Sequence, residues 1–240
     1  MEFPELKNYD KVALIYPHLM RSIQYDKWAE YIYAIVKKSV DGNDNILELA
    51  SGNGKMADQF KKYFPQLIIS DLSFNMLSQS GNNLRKICCD MTTIPLKTNF
   101  KLIYSAFDSI NYLTSKKKLF QMFKEIKRLL CANGIFTFDV SLETNSLNHL
   151  NEPLRSGSYK GINYIQRSEY SPSKRLHKNK FEIKIDDEIF YEEHNQKIFS
   201  FEEYFLSIEK AGLYVEECYD AFTFNDGNSE CERVQFVVRN

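Results

Sequence analysis

Short apolar runs alternate with helix-period stretches from about residue 25 to residue 140, the rhythm of βα units that build a mostly parallel sheet. Strand candidates lie at 46–50, 67–71, 86–90, 102–107 and 135–140, each apolar enough for burial and each ending at a turn or a polar residue. Asp26 is expected to cap a helix whose stripe is Trp28, Ile32, Ile35 and Val36, with Asp41-Gly42 as its stop. Ser115 starts a second, in which Leu119, Met122, Phe123, Ile126, Leu129 and Leu130 share one face and Asn133-Gly134 close the helix.

After residue 140 the period changes to two. In KFEIKIDDEIF, Phe181, Ile183 and Ile185 fall on one face, which predicts antiparallel strands turning near Asp186-Asp187. Ser200 and Glu203 then match a capping box, ahead of Phe201, Phe205 and Ile208 on a buried face and Gly212 as the stop. Strands at 213–219 and 233–238 finish the chain. The expected organisation is an α/β, doubly wound, mostly parallel seven-stranded sheet formed by 1–157 and 201–240, interrupted by an antiparallel lobe at 158–200.

Composition narrows the function classes. The chain has 240 residues, of which 43% are hydrophobic and 26% charged, enough for a substantial core. A net charge of −1 argues against a nucleic-acid partner. The five cysteines form no CxxC pair and no zinc-like spacing with the four histidines, so no metal site is expected and a reducing compartment fits best. Cys88 and Cys89, on opposite faces of one strand, read as core fillers. The amino-terminal MEFPELKNYDKVALIYPHLM has neither a basic leader nor a signal-length apolar core, and no run approaches the roughly 18 apolar residues of a membrane span, so we expect a cytoplasmic protein with no membrane partner.

The chemistry concentrates in ILELASGNGKMADQF, Ile46 to Phe60. Gly52-Asn53-Gly54-Lys55-Met56-Ala57 fits the dinucleotide fingerprint G-x-G-x-x-[G/A], and Asp71 stands near the distance expected of a ribose-binding acid. A glycine turn serving only steric ends fits the same residues. Glu48 discriminates, because its carboxylate at the strand end would repel a pyrophosphate by several kcal/mol on an order-of-magnitude Coulomb argument. A cationic ligand reverses that sign. S-adenosylmethionine carries a sulfonium and an ammonium, lacks phosphate, and still offers a ribose diol to a second acid.

These residues resemble the class I S-adenosylmethionine-dependent methyltransferases, whose fold is Rossmann-like. ILELASGNG is similar to that family's first motif and IISDLSFNMLSQS to its second. ICCDMTTIPL resembles the adenine-contacting segment, FKLIYSAFDSINYL the fourth-strand motif near the transferred methyl, and LLCANGIFTFDV the helix, turn and fifth strand. A subgroup acting on small molecules shares the early tyrosines, here Tyr9 and Tyr16, and a segment like EEHNQKIFSFEEYFLSIEKAGL. In this chain Pro17 follows Tyr16 where Asp is common, and Asn111 stands where some relatives have His.

The resemblance implies a site residue by residue. Glu48 reaches the ammonium of S-adenosylmethionine, Ala50, Gly52, Asn53 and Gly54 supply close backbone, and Asp71, with Leu72 and Met76 following, accepts the ribose hydroxyls. Asp90 and Met91 attend the adenine, Ala106 and Phe107 end the fourth strand at the ligand-binding edge, and Tyr9, Tyr16 and His194 are candidates for a lid over the methyl group. Asp108, Tyr16 and His194 are the catalytic candidates, although His194 in YEEHNQ also reads as a surface residue. Asp108 has three open roles: holding the methionine part, orienting the acceptor, or taking its proton. The expected reaction is direct displacement onto an N, O or C atom of a small molecule, leaving S-adenosylhomocysteine, by a monomer or homodimer. Methylation of RNA such as tRNA, nicotinamide-dependent oxidoreduction and a silent cofactor-binding module are the competing readings. The RNA reading requires Lys174, Lys178 and Lys180 to cluster beside the cleft.

Overall fold

The computed structural model describes residues 8–240, so the first seven residues of the expected leaderless amino terminus and first domain lie outside the described residues. Helices α1 (Val12–Leu19) and α2 (Tyr25–Val36) precede a βα series: β1 (Ile46–Leu49), α3 (Lys55–Phe60), β2 (Ile68–Asp71), α4 (Phe74–Ser78) and β3 (Arg85–Cys88). Then come β4 (Phe100–Ser105), a 3-10 turn (Ser109–Tyr112), α5 (Lys116–Leu129), β5 (Leu130–Ser141) and α6 (Glu143–His149). The strands β6 (Leu154–Tyr159), β7 (Ile162–Ser171), β8 (Leu176–Ile185) and β9 (Glu188–Lys197) form a separate four-stranded antiparallel sheet. The chain ends with α7 (Phe201–Lys210), β10 (Tyr214–Asp220) and β11 (Arg233–Arg239).

The main sheet has seven strands in the order β10-β11-β5-β4-β1-β2-β3, with β11 antiparallel to both neighbours and the rest of the series parallel. The order reverses between β1 and β4, so the crevice at their carboxyl ends is where an open α/β sheet receives a ligand. Every side chain of β1 is buried, because helices cover both faces. One apolar layer joins Leu47, Leu49 and Phe136 to Leu119, Phe123 and Ile126 of α5, and the opposite layer joins Ile46, Leu102 and Tyr104 to Trp28 and Ile32 of α2.

The expected capping box at Ser200 and Glu203 is present in both directions, and Gly212 follows α7 at φ +80°. Ser115 caps α5 by accepting from Lys118 N at 3.3 Å. That helix stops at Leu129, however, and not at Asn133-Gly134: Leu130 turns extended (φ −73°, ψ 134°) and pairs with Phe100, so strand register prevails over the helical stripe. Asp26 is likewise no cap; it sits in the first turn of α2, whose N-cap is Gln24. The helix ends at Val36, ahead of Asp41-Gly42. The third strand closes at Cys88, short of Asp90, and because β3 is an edge strand Cys88 is exposed where a core filler was expected. The second sheet starts at Leu154, earlier than the expected 158. Its β8–β9 hairpin turns at Asp186-Asp187 as anticipated, with Ile185 opposite Glu188.

Helix α1 was not foreseen. Its Val12 and Ile15 pack on Tyr164, Phe181 and Ile183 of the lobe. Pro17 has no N–H to give Ala13 O, and that carbonyl accepts from Gln79 Nε2 at 2.8 Å instead. A proline inside a helix thus becomes the docking point for the segment just after α4. No helix among the described residues is long and apolar enough to cross a membrane.

Candidate active site

The glycine turn after β1 is left-handed at three positions, with φ +51° at Ala50, +57° at Gly52 and +74° at Gly54. A Cβ on Gly54 would stand 2.8 Å from Ser80 Cβ, and one on Gly52 would stand 3.1 Å from Met76 Cε and 3.9 Å from Tyr16 Cε1. Gly52 therefore leaves a backbone-lined cradle between Met76 and Tyr16. Asn53 is buried within the turn. Asp71, at the end of β2, accepts from Gly52 N at 2.7 Å and from Ser73 N at 2.8 Å, tying the first two loops together. The N-cap of α4 is Ser73, which accepts from Met76 N at 3.2 Å, so Asp71 is free of that duty. Burial raises the Asp71 carboxyl above its usual range, against the lowering pull of these backbone donors.

Glu48 is 2% exposed and faces Tyr104, its register partner on β4, whose hydroxyl donates to Oε2 at 2.8 Å. Burial pushes its carboxyl up to about 8; the Tyr104 bond lowers it and the nearby charge of Asp71 raises it further. Burial therefore favours the protonated form of this acid near neutrality. The rim beyond is open: Leu72 is 69% exposed, while Asp90 and Met91 are half-buried. Asp90 Oδ1 is taken by Thr92 N and Oγ1, each at 2.7 Å.

On the other side of the switch point, Ala106 is buried and Phe107 and Asp108 are both left-handed, at φ +62° and +48°. Consecutive non-glycine residues in this region store strain, which concentrates at functional sites. The Phe107 ring packs 4.5 Å from Trp28 and 5.5 Å from Tyr25. Asp108 accepts from Arg233 at 2.9 Å through Oδ1 and from Gln196 of β9 at 2.7 Å through Oδ2, and its own N–H donates to Asp139 Oδ2 at 2.8 Å. Arg233 also pairs with Asp139 and lies 5.8 Å over the Trp28 ring. Burial pushes Asp139 to about 6, against the opposing pull of Arg233.

Above the cleft, His194 is buried, not on the surface. Tyr9 packs 4.5 Å from its ring and 5.7 Å from Tyr16. Tyr16 keeps its phenol well above the usual value through burial first and the neighbouring Tyr9 second. Asn111 is fully buried; Nδ2 donates to Ser141 O and Lys197 O while Oδ1 accepts from Ser141 N, a structural junction.

A family model described as a methyltransferase domain matches residues 46–134, the segment that carries Glu48, Asp71, Asp90 and Asp108. Over that segment the chain is similar to a methyltransferase domain. YqeM of Bacillus subtilis, which carries a methyltransferase name, is 27% identical over 96% of each chain. An S-adenosylmethionine-dependent methyltransferase from Clostridium acetobutylicum superposes with a TM-score of 0.80 at 23% identity, over 97% of this chain and 99% of that one. The sugar N-methyltransferase KedS8 from Streptoalloteichus gives a TM-score of 0.74 at 17% identity, covering 100% and 99%. These structural likenesses show a shared fold that takes in nearly the whole chain.

The structure gathers Glu48, Gly52, Asn53, Gly54, Asp71 and Met76 tightly, and Leu72, Asp90 and Met91 on the adjoining rim. Sequence reasoning missed Tyr104, Tyr112, Asp139, Glu192, Gln196 and Arg233. Of these, Glu192 and Gln196 had a signal: in YEEHNQ they share the period-two face of His194, the face turned to the core.

Proposed function

We propose that this protein moves a methyl group from S-adenosylmethionine to a nucleophilic atom of a small polar molecule. The observation that carries the reading is the row of acids Glu48, Asp71 and Asp90 at the carboxyl ends of three adjacent parallel strands, around a left-handed glycine turn. When bound, S-adenosylmethionine supplies an electrophilic methyl on a sulfonium. Glu48 would hold the ammonium, Asp71 the ribose diol, and Asp90 the adenine amino group, with Leu72 and Met91 against the ring. Gly52 and Gly54 admit the ligand to the backbone, and Tyr9, Ala106 and Phe107 bound the methionine end. The Gly52 cradle, which a Cβ would fill, fits such a group.

Both oxygens of Asp108 already accept hydrogen bonds, one of them in an ion pair, so this acid suits holding and orienting better than proton removal. Tyr16 closes the cradle over Gly52 and excludes water. Displacement needs alignment above all, and positioning alone lowers such barriers by several kcal/mol, as an order of magnitude.

A small acceptor is favoured over RNA by the lobe's lysines. Lys178 pairs with Glu193 at 2.8 Å and Lys180 with Glu169 at 2.7 Å, on the strand face opposite to His177, Asn179 and Phe181. The inward face offers Gln166, Ser168 and Asn179, with Asn179 Oδ1 accepting from the other two. We read the lobe, expected at 158–200, together with α1 as the walls of the acceptor pocket. Calorimetric titration with S-adenosylmethionine, S-adenosylhomocysteine and NAD tests the cofactor: binding of the first two and not the third is expected, and binding of NAD alone overturns the reading. A labelled-methyl screen of small metabolites and RNA then tests the acceptor, and label in RNA alone overturns the small-molecule assignment. Tight cofactor binding with no labelled product from either pool supports the silent module.

A further inference from the structure

Four groups form an unbroken hydrogen-bonded line from the cleft into the lobe. Tyr9 Oη lies 2.8 Å from Tyr112 Oη, which lies 3.1 Å from His194 Nδ1. His194 Nε2 lies 2.7 Å from Glu192 Oε1. Burial alone would raise Glu192, but the bonds from His194 and from the Val12 and Lys11 amides hold it below the usual carboxylate range. An ionised Glu192 only accepts, so Nε2 carries a proton, and in the neutral imidazole Nδ1 then presents its lone pair to Tyr112. Direction then follows along the line: Tyr9 donates to Tyr112, and Tyr112 donates to His194. The free lone pairs of Tyr9 Oη are left at the cleft end.

The same carboxylate has a second occupation. Glu192 Oε1 accepts from Tyr9 N by a short contact and from Asp10 N at 3.3 Å, and Oε2 accepts from Lys11 N at 2.9 Å and Val12 N at 3.1 Å. These amides lie at and just before the start of α1, where a helix leaves its first N–H groups unpaired and favours an anion; Tyr9 N also lies 3.4 Å from His194 Nε2. One buried anion therefore seats the segment that carries Tyr9 and fixes the tautomer of the histidine at the other end of the line.

We propose that Tyr9, Tyr112 and His194 form a proton exit for the acceptor, with Glu192 as a positioning residue that completes the exit only when the amino-terminal segment is seated. This rests on the methyltransferase reading. As the acceptor's lone pair bonds to the methyl carbon and the methyl–sulfur pair returns to sulfur, the acceptor's N–H or O–H proton passes to Tyr9 Oη. The Tyr9 proton moves to Tyr112 Oη and the Tyr112 proton to His194 Nδ1. The sulfonium charge lost in the cleft reappears as an imidazolium beside Glu192, so charge and protons balance. Among the described residues Tyr9, Phe181 and Tyr112 place rings against His194, Asn179 is its partner across the β8–β9 pair, and Glu192 is the charged group bonded to it.

The test uses the full chain with S-adenosylhomocysteine and needs no acceptor. Nitrogen-15 spectra should show His194 protonated at Nε2 and bare at Nδ1, and Tyr112→Phe should shift the Nδ1 resonance while leaving exchange at the Lys11 and Val12 amides unchanged. Glu192→Gln should speed exchange at those amides about tenfold or more, the loss expected of charge-assisted bonds, and should populate the other tautomer. A proton on Nδ1 in the wild type, or unaltered exchange in a folded Glu192→Gln, overturns the proposal. Should Glu192→Gln fail to fold, the Nδ1 response of Tyr112→Phe decides alone. Failure here with intact cofactor binding leaves the methyltransferase reading standing, whereas absent cofactor binding removes both.

Discussion

Glu48→Gln offers a quantitative test of the buried acid. The folded carboxyl titrates at about 8, the unfolded one near 4.3. Because the folded value is the raised one, the stability tied to this group is fully present below the unfolded pKa. It is lost as pH climbs toward the folded pKa, the unfolded chain being the first to ionise. Each pH unit inside that window removes about 1.4 kcal/mol, so wild type should lose about 2–3 kcal/mol between pH 5.5 and 7.5 from this site. Glutamine keeps an acceptor for Tyr104 Oη and never ionises, so the variant should lack this decline. Urea unfolding at both pH values measures the difference between the two proteins. Asp139, pushed to about 6, acts on both proteins alike and cancels. Binding supplies a second reading of the same proton. An ammonium drawn against Glu48 should expel about nine-tenths of a proton at pH 7, seen by calorimetry in buffers of different ionisation heat. Glu48→Gln should expel none from this site and bind S-adenosylmethionine more weakly. A stability difference that does not change with pH, joined to equal proton release by both proteins, would refute the reasoning.

Ala50→Gly should raise stability by about 0.5–1 kcal/mol in urea unfolding, since alanine at φ +51° carries a left-handed cost that glycine escapes. Asp71→Ala should weaken S-adenosylmethionine and S-adenosylhomocysteine binding by about 1–3 kcal/mol in calorimetry, as for loss of a buried charged acceptor; unchanged affinity removes Asp71 from the site. Gln79→Leu strips Ala13 O of its donor and should cost about 1 kcal/mol of stability, with faster hydrogen exchange along α1 and unaltered exchange in α5.

What the chain disclosed about itself follows the distance over which each feature is determined. The capping box at Ser200, the buried strand ILEL and the hairpin turn at Asp186-Asp187 depend on residues within a few positions of one another, and all three are present as expected. That Glu48 and Asp71 lie near the carboxyl ends of adjacent strands was legible for the same reason: each sits late in an apolar run, and parallel pairing brings such ends to one sheet edge. Leu130 shows where the approach fails, because its helical spacing is satisfied locally but its backbone pairs with Phe100, 30 residues earlier in the chain. The partners around Tyr9, His194 and Asp108 were less legible still. Glu192 meets Val12 across 180 positions and Arg233 meets Asp108 across 125, and no periodicity encodes such partners. Pro17 illustrates the consequence. In the sequence it reads as a departure from a familiar motif; in the fold it frees the carbonyl of Ala13 for Gln79 and so helps hold in place the helix that carries Tyr16. A helix secured by a glutamine beyond α4 at one side and by a lobe glutamate at its start can be seated only when sheet and lobe are both in register. The cleft and its cover are therefore coupled through the long-range contacts that local sequence reading does not detect.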